Sequence, residues 1–255
     1  MASSLLAALV AAVLAPRAAA QTTSLHGSGT TNPSKLFWKT MDFLEERSRQ
    51  PLYMTYRAVG SSTGQYEFVG EDNGNTPYND FGSGDIPMSA SNYQKLTFTM
   101  LHIPFAVGAI SVFHHVPAQA NGGQPIKLTG CLLAKIFSAQ ITTWDASEIK
   151  TLNPSLNVPA GTAIKVVHRE LGSSSTAGLT QYLAMKCPAS WSLGSGSRIT
   201  WPGSTASAQG SGGVSKYIAD NEYAIGYLDA GHGHSLGFQE IALENRDGVS
   251  LTSKE

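Results

Sequence analysis

The stretch Val166-Val167-His168-Arg169-Glu170-Leu171-Gly172-Ser173-Ser174-Ser175-Thr176, with the apolar run to Met185 behind it, constrains this chain most. The β-branched pair reads as the end of a buried strand, and Gly172 with three serines reads as a turn into a helix. A helix start carries unpaired backbone N–H groups and the positive end of the helix dipole, so it suits an anion. Arg169, just before it, adds a planar fork of donors. The plainer reading of the same residues is a serine-capped helix beside a surface arginine.

Two similar junctions come earlier. In Gly27-Ser28-Gly29-Thr30-Thr31-Asn32-Pro33, Thr31 or Asn32 suits a helix cap and Pro33 the first turn. Leu36, Phe37, Met41 and Leu44 then share one helical face. The Gly-Lys-Ser/Thr ending of a nucleoside-triphosphate loop is missing. Residues 52–59 alternate like a strand, and Gly60-Ser61-Ser62-Thr63-Gly64 opens the next helix. That pentapeptide also matches Gly-x-Ser-x-Gly, which would make Ser62 the nucleophile of a serine hydrolase, with Asp229 and His232 as the only tempting partners. In Asp80-Phe81-Gly82-Ser83-Gly84-Asp85, a short strand would put Asp85 near its carboxyl end, the edge where open α/β sheets bind ligands. An acid in an exposed turn is the plainer alternative.

Residues 104–116 form an apolar, β-branched run, long enough to cross between two lobes, and 223–228 read as a second crossing strand. Short helices are expected over 128–140 and 145–152, a loop over 202–213, and a helix start over 214–219. Alternating strands and helices give α/β layers.

Composition removes several classes. The 255 residues carry 17 basic and 18 acidic side chains, a net charge of −1, with no basic stripe, which argues against nucleic acid as a partner. No stretch is long enough to span a bilayer. Residues 1–20 resemble a signal peptide, with an apolar run from Leu5 to Leu14 and Ala18-Ala19-Ala20 before the cut. The expected product is secreted, periplasmic or on the cell surface. Arg17 after the run, and no acid before Asp42, leave an organelle lumen reached by a transit peptide as the alternative. In an exported chain Cys131 and Cys187 suggest one disulfide, with two separate thiols as the alternative. His232 and His234 lack acid or thiol partners at ligand spacing, and His114 and His115 would point to opposite faces, so no metal and no cofactor is expected.

In order along the chain, these motifs resemble the periplasmic phosphate-binding proteins that feed ABC-type phosphate importers. The likeness runs from about Leu25 to Asp247. It rests on the three loops, on Asp80 to Asp85, on Lys135-Ile136 through Trp144-Asp145 to Leu152-Asn153-Pro154, on Thr200-Trp201-Pro202 and on Ala224-Ile225-Gly226-Tyr227. The resemblance implies a two-lobed α/β fold of the type II periplasmic-binding-protein kind that closes over one phosphate without catalytic turnover. It places ligand atoms on Thr31, Asn32, Ser61, Asp85, Arg169, Ser173, Ser174 and Ser175. Lobe I is expected to take residues 21–105 and 228–255, lobe II residues 106–227, with hinges near 103–107 and 226–230. A carboxylate only accepts hydrogen bonds, so Asp85 would demand a ligand that still carries a proton. Hydrogen phosphate has one and sulfate does not; in a dry site the preference would be about 10³ or more.

The chain also departs from the family. An acid that commonly follows the arginine by two residues is Leu171 here, so either Arg169 is less restrained or Glu170 stands in. Ser-Gly-Thr becomes Ser173-Ser174-Ser175, and a loop phenylalanine becomes Asn32. The family's chain returns to the first lobe for a further long segment, whereas this sequence stops at Glu255. The C-terminal part of lobe I is therefore expected to be missing, with apolar surface left exposed, in a fragment or a protein whose partner supplies the layer. The alternative function is a receptor or adhesion module of the same fold with weak or no anion binding.

Overall fold

The computed structural model describes residues 21–254, so the leader expected over 1–20 lies outside the described residues. The first unit runs β1 (Thr23–Gly29), α1 (Ser34–Arg47), β2 (Leu52–Ala58), α2 (Ser61–Val69), β3 (Phe81–Ser83) and the one-turn α3 (Ala90–Tyr93). Its strands pair in parallel in the order β2-β1-β3. Parallel neighbours need crossover connections, and α1 and α2 supply them. Helix α1 buries Met41 and sets the Phe37 ring 4.8 Å from that of Tyr56 on β2. The face under α2 is polar: Glu67 accepts from Ser28 at 2.5 Å and pairs with Arg57 at 2.6 Å.

The second unit runs β4 (Ile110–His114), β5 (Lys127–Leu128), α4 (Gly130–Phe137), α5 (Ser147–Leu152), β6 (Lys165–Arg169), α6 (Ser174–Lys186), β7 (Ala206–Ala208), α7 (Gly210–Asp220), β8 (Ala224–Asp229), α8 (Ala230–Ser235), β9 (Gln239–Glu240), β10 (Ala242–Glu244) and β11 (Ser250–Leu251). Five of these strands form one sheet in the order β7-β6-β8-β4-β9. In it β6 is parallel to β7 and β8, and β4 is antiparallel to β8 and β9. Successive side chains of a strand point to opposite faces, so β8 serves two cores. Ile225 and Tyr227 pack with Leu133, Phe137, Trp144 and Leu183; Ala224 and Leu228 pack with Phe113, Val167, Val214 and Ile218.

Cys131 in α4 and Cys187 at the end of α6 are joined by a disulfide, with Cα atoms 5.1 Å apart. Their 56-residue separation makes the bridge a substantial constraint on the unfolded chain. The Cys131→Ser/Cys187→Ser double variant should lose about 2–4 kcal/mol of stability. Urea unfolding followed by tryptophan fluorescence checks this, and an unchanged midpoint would contradict it.

Several sequence expectations need correction. The long strand over 104–116 is only β4, Ile110–His114. Residues 101–109 are exposed, and the sole backbone bond found for them is from the Ala230 N–H to the Ala109 carbonyl at 2.8 Å. Pro104 has no N–H to offer a neighbouring strand. The loop expected over 202–213 instead holds β7 and the start of α7, because burying Val214 and Ile218 overrides the poor helix propensity of a Gly/Ser run. Residues 228–255 were expected with lobe I; in the structure Leu228 and Asp229 belong to β8, β9 pairs with β4, β10 with β5, and β11 with β10. On the first unit, Leu36, Trp38, Phe43 and Leu44 of α1 are exposed. Among the described residues no helix is long and apolar enough to cross a membrane.

Candidate functional site

Four strands end where four helices begin. β1 feeds α1, β2 feeds α2, β6 feeds α6 and β7 feeds α7. Their first turns meet between the two units. Ser61 Oγ donates to Ser174 Oγ at 3.0 Å, Asn32 Nδ2 to Ser175 Oγ at 3.2 Å, and Thr31 Oγ1 lies 2.8 Å from Ser211 Oγ. Asp85, two residues beyond β3, gathers three donors on Oδ2: Thr30 Oγ1 at 2.6 Å, Asn32 Nδ2 at 2.9 Å and Ser174 Oγ. No hydrogen bond to Oδ1 is found among the described residues.

Backbone geometry allows this approach. Gly60 caps α2 with φ +99°, a conformation that side chains rarely adopt. A Cβ there would stand 3.3 Å from the Gly172 carbonyl and 3.5 Å from Arg169 Nη2. A Cβ on Gly172 would lie 2.3 Å from Ser62 Oγ. Ser173 caps α6 by accepting from the Ser175 N–H at 3.1 Å.

Arg169 is 5% exposed, and its Nε has no partner. No ion pair joins it to Glu170, which is exposed, so Glu170 does not take the place of the family's acid. What restrains Arg169 is its backbone: its N–H donates to the Tyr227 hydroxyl at 3.1 Å, and that hydroxyl lies 2.6 Å from Thr176 Oγ1. Burial pulls the guanidinium pKa down, and the Asp85 charge opposes this. An arginine stays protonated nonetheless. The same burial raises the Tyr227 hydroxyl, leaving it neutral.

Of the eight residues expected from the sequence, Thr31, Asn32, Ser61, Asp85, Ser174 and Ser175 take part in hydrogen bonds that join the two units, Ser173 caps α6, and Arg169 Nη2 lies beside Gly60. Seven are buried or half-buried, and Asp85 is exposed. Thr30 and Ser211 join them, and sequence reasoning passed over both. Thr30 sits beside Thr31 in the same loop, and Ser211 follows a short strand, the pattern of the other three junctions. A cavity of about 330 Å³ opens beside the cluster, lined by Ser62, Thr63, Tyr66, Gly172, Ser197 and Arg198. A larger one of about 590 Å³ lies against β1 and β2, but its Arg57, Glu67 and Asn79 already pair with one another or with Ser28.

The other constellations do not assemble. Ser62 Oγ donates to Ser197 Oγ at 3.3 Å, while Asp229 accepts from the His232 backbone N–H at 3.0 Å, a helix cap. His234 Nε2 turns to Glu240 at 3.0 Å, and His232 Nε2 to Ser215 Oγ at 3.4 Å. Among the described residues no group of three or more His, Cys, Asp or Glu could hold a metal ion.

The PBP superfamily domain matches residues 15–253. The chain belongs to the PBP superfamily. It is 29% identical over 231 residues to "Phosphate-binding protein PstS" of Haemophilus influenzae, covering 90% of this chain and 65% of that protein. A protein of the same name from Pasteurella multocida is 30% identical, covering 89% and 62%. The chain therefore spans less than two thirds of the length of these curated relatives. Among solved structures, a high affinity periplasmic phosphate-binding protein (PfluDING) bound with phosphate matches with a TM-score of 0.70 at 20% identity, covering 91% of this chain and 65% of that one. These structural likenesses carry the two-lobed α/β fold of this superfamily.

Proposed function

We propose that this protein is a non-catalytic, exported solute-binding protein that takes up hydrogen phosphate between its lobes, for transfer to a membrane importer. The observation that carries the reading is Arg169: a buried cation with no ion-pair partner among the described residues, at the end of the strand that feeds α6 and beside Gly60 at the start of α2. Leaving such a charge unpaired is costly, and a bound anion would relieve the cost. The hydroxyls and amides of Thr31, Asn32, Ser61, Ser173, Ser174 and Ser175 offer further donors with little formal charge. Asp85 Oδ1 would accept the ligand's own proton. The names of the relatives and of the phosphate-bound neighbour support the same ligand.

The exposure of Asp85 changes one expectation. A carboxylate open to water does not force a lone-pair clash in a dry pocket, so the preference for phosphate over sulfate should be nearer 10–100-fold, about what one hydrogen bond to a charged group supplies. Calorimetric titration with both anions tests the function. Phosphate should bind, sulfate should bind more weakly, and Asp85→Asn should shrink the difference. No binding at millimolar phosphate would end the reading; an unchanged preference in Asp85→Asn would remove Asp85 from its place in it.

A further inference from the structure

Ser211 opens α7 and is 2% exposed. Its backbone N–H donates to Thr31 Oγ1 at 3.3 Å, its Oγ lies 2.8 Å from the same atom, and its Oγ donates to Asn32 Oδ1 at 3.3 Å. Deepening the phosphate reading, on which it rests, we infer that Ser211 is a positioning residue that aims the Thr31 hydroxyl and the Asn32 amide into the site from the opposite lobe.

A threonine hydroxyl has one hydrogen and two lone pairs. With the Ser211 amide occupying a lone pair, the hydrogen of Thr31 must point elsewhere. Without an anion it can rest on Ser211 Oγ, whose own hydrogen goes to Asn32 Oδ1. When an anion arrives, Thr31 turns its hydrogen to the ligand and Ser211 Oγ donates to Thr31 in turn. No group changes its protonation state; two hydroxyl rotors turn. The contact to Asn32 acts in the same direction. Before the anion arrives, Ser211 holds Oδ1 and leaves Nδ2 to face Asp85 Oδ2 and Ser175 Oγ, which need a donor; once Ser211 has turned to Thr31, those two acceptors keep Nδ2 in place. The flipped amide would set its oxygen against a carboxylate.

The backbone leaves room for this. Gly210 precedes Ser211 with φ +66°, and a Cβ on it would stand 3.4 Å from Thr31 Cγ2. Ser211 therefore joins α7 to the loop ahead of α1, and only in the arrangement where both lobes contribute to the site.

Ser211→Ala removes one buried hydroxyl and little volume. It should raise the phosphate dissociation constant about tenfold, mainly through faster release in stopped-flow experiments. On a Thr31→Val background the same change should cost less than about twofold, because the hydroxyl it serves is gone. Independent, multiplicative losses would overturn the inference, as would wild-type affinity in Ser211→Ala. A second readout needs no phosphate. Methyl three-bond couplings should show one Thr31 χ1 rotamer in the unaltered protein and averaging in Ser211→Ala; an unmoved rotamer would overturn the positioning. If the unaltered protein takes up no phosphate, the functional reading falls, and the Thr31 couplings still decide the positioning.

Discussion

Replacing Arg169 with methionine should weaken phosphate binding by about 10²–10⁴-fold while leaving the ligand-free protein at least as stable as before. The two halves of this result have one cause. Arg169 is 5% exposed, its Nε is unpaired, and among the described residues no carboxylate forms an ion pair with it. Methionine keeps an unbranched apolar stem in that space and removes a desolvated charge, so folding loses nothing electrostatic. With the anion present, the fork would make up to two charge-assisted bonds, each worth roughly 1.5–3 kcal/mol net. Calorimetry with phosphate gives the affinity, and thermal melts with and without the ligand give the rest. A variant that melts much lower yet binds phosphate as well as the parent would show that Arg169 serves the fold and not the ligand. The backbone bond from Arg169 N–H to Tyr227 survives the substitution, so the end of β6 should stay in place.

The three loops around Thr31, Ser61 and Ser173 were legible because each writes its geometry locally. A strand-like run ends and small residues permit the turn; of the three helices only α6 has a side-chain cap, Ser173, while Pro33 and Gly60 stand at the caps of α1 and α2 in place of the cap expected at Thr31 or Asn32. The fourth junction was hidden for the converse reason. Gly210-Ser211-Gly212-Gly213 is a poor helix former, so the helix read from 214 onward gave no sign of its first turn, which forms as Val214 and Ile218 pack against Val167 and Leu228. Pairing partners were equally illegible. The two-residue strands β9 and β11 carry too little pattern to name the sheets they join, beside β4 and β10. An apolar run such as 104–116 reads as buried whether or not a neighbour arrives to pair with it. Asp85 shows the same limit at the site itself: its position at the end of β3 follows from the sequence, but its exposure depends on what packs above it.

The second large effect concerns acid. Lowering the pH from about 6.5 toward 3 should strip as much as about 4–5 kcal/mol of stability through one residue, His114, at about 1.4 kcal/mol per pH unit. His114 lies on β4, is 2% exposed, accepts from the Val116 N–H on Nδ1 at 3.1 Å and has no partner for Nε2. Accepting on Nδ1 makes Nε2–H the neutral tautomer, and a second proton would have to sit on the nitrogen already bonded to Val116. Burial, with a smaller push from His115, lowers the pKa from 6.5 to about 3. The sign follows from the depressed native value. Above pH 6.5 both states are neutral and the contribution is complete. Below it the unfolded chain gains a proton that the native protein refuses, so stability falls until the native pKa is reached. His114→Phe should flatten this slope, although it lowers stability at neutral pH by leaving the Val116 N–H without its acceptor. Denaturant unfolding of both proteins between pH 7 and 4 isolates the difference, since the carboxylates titrate alike in each. Parallel slopes would show that His114 accepts its proton inside the fold. The site would feel the loss as well: β4 pairs with β8, β8 carries Tyr227, and Tyr227 holds the Arg169 backbone, so acid that loosens the sheet should release the anion with it.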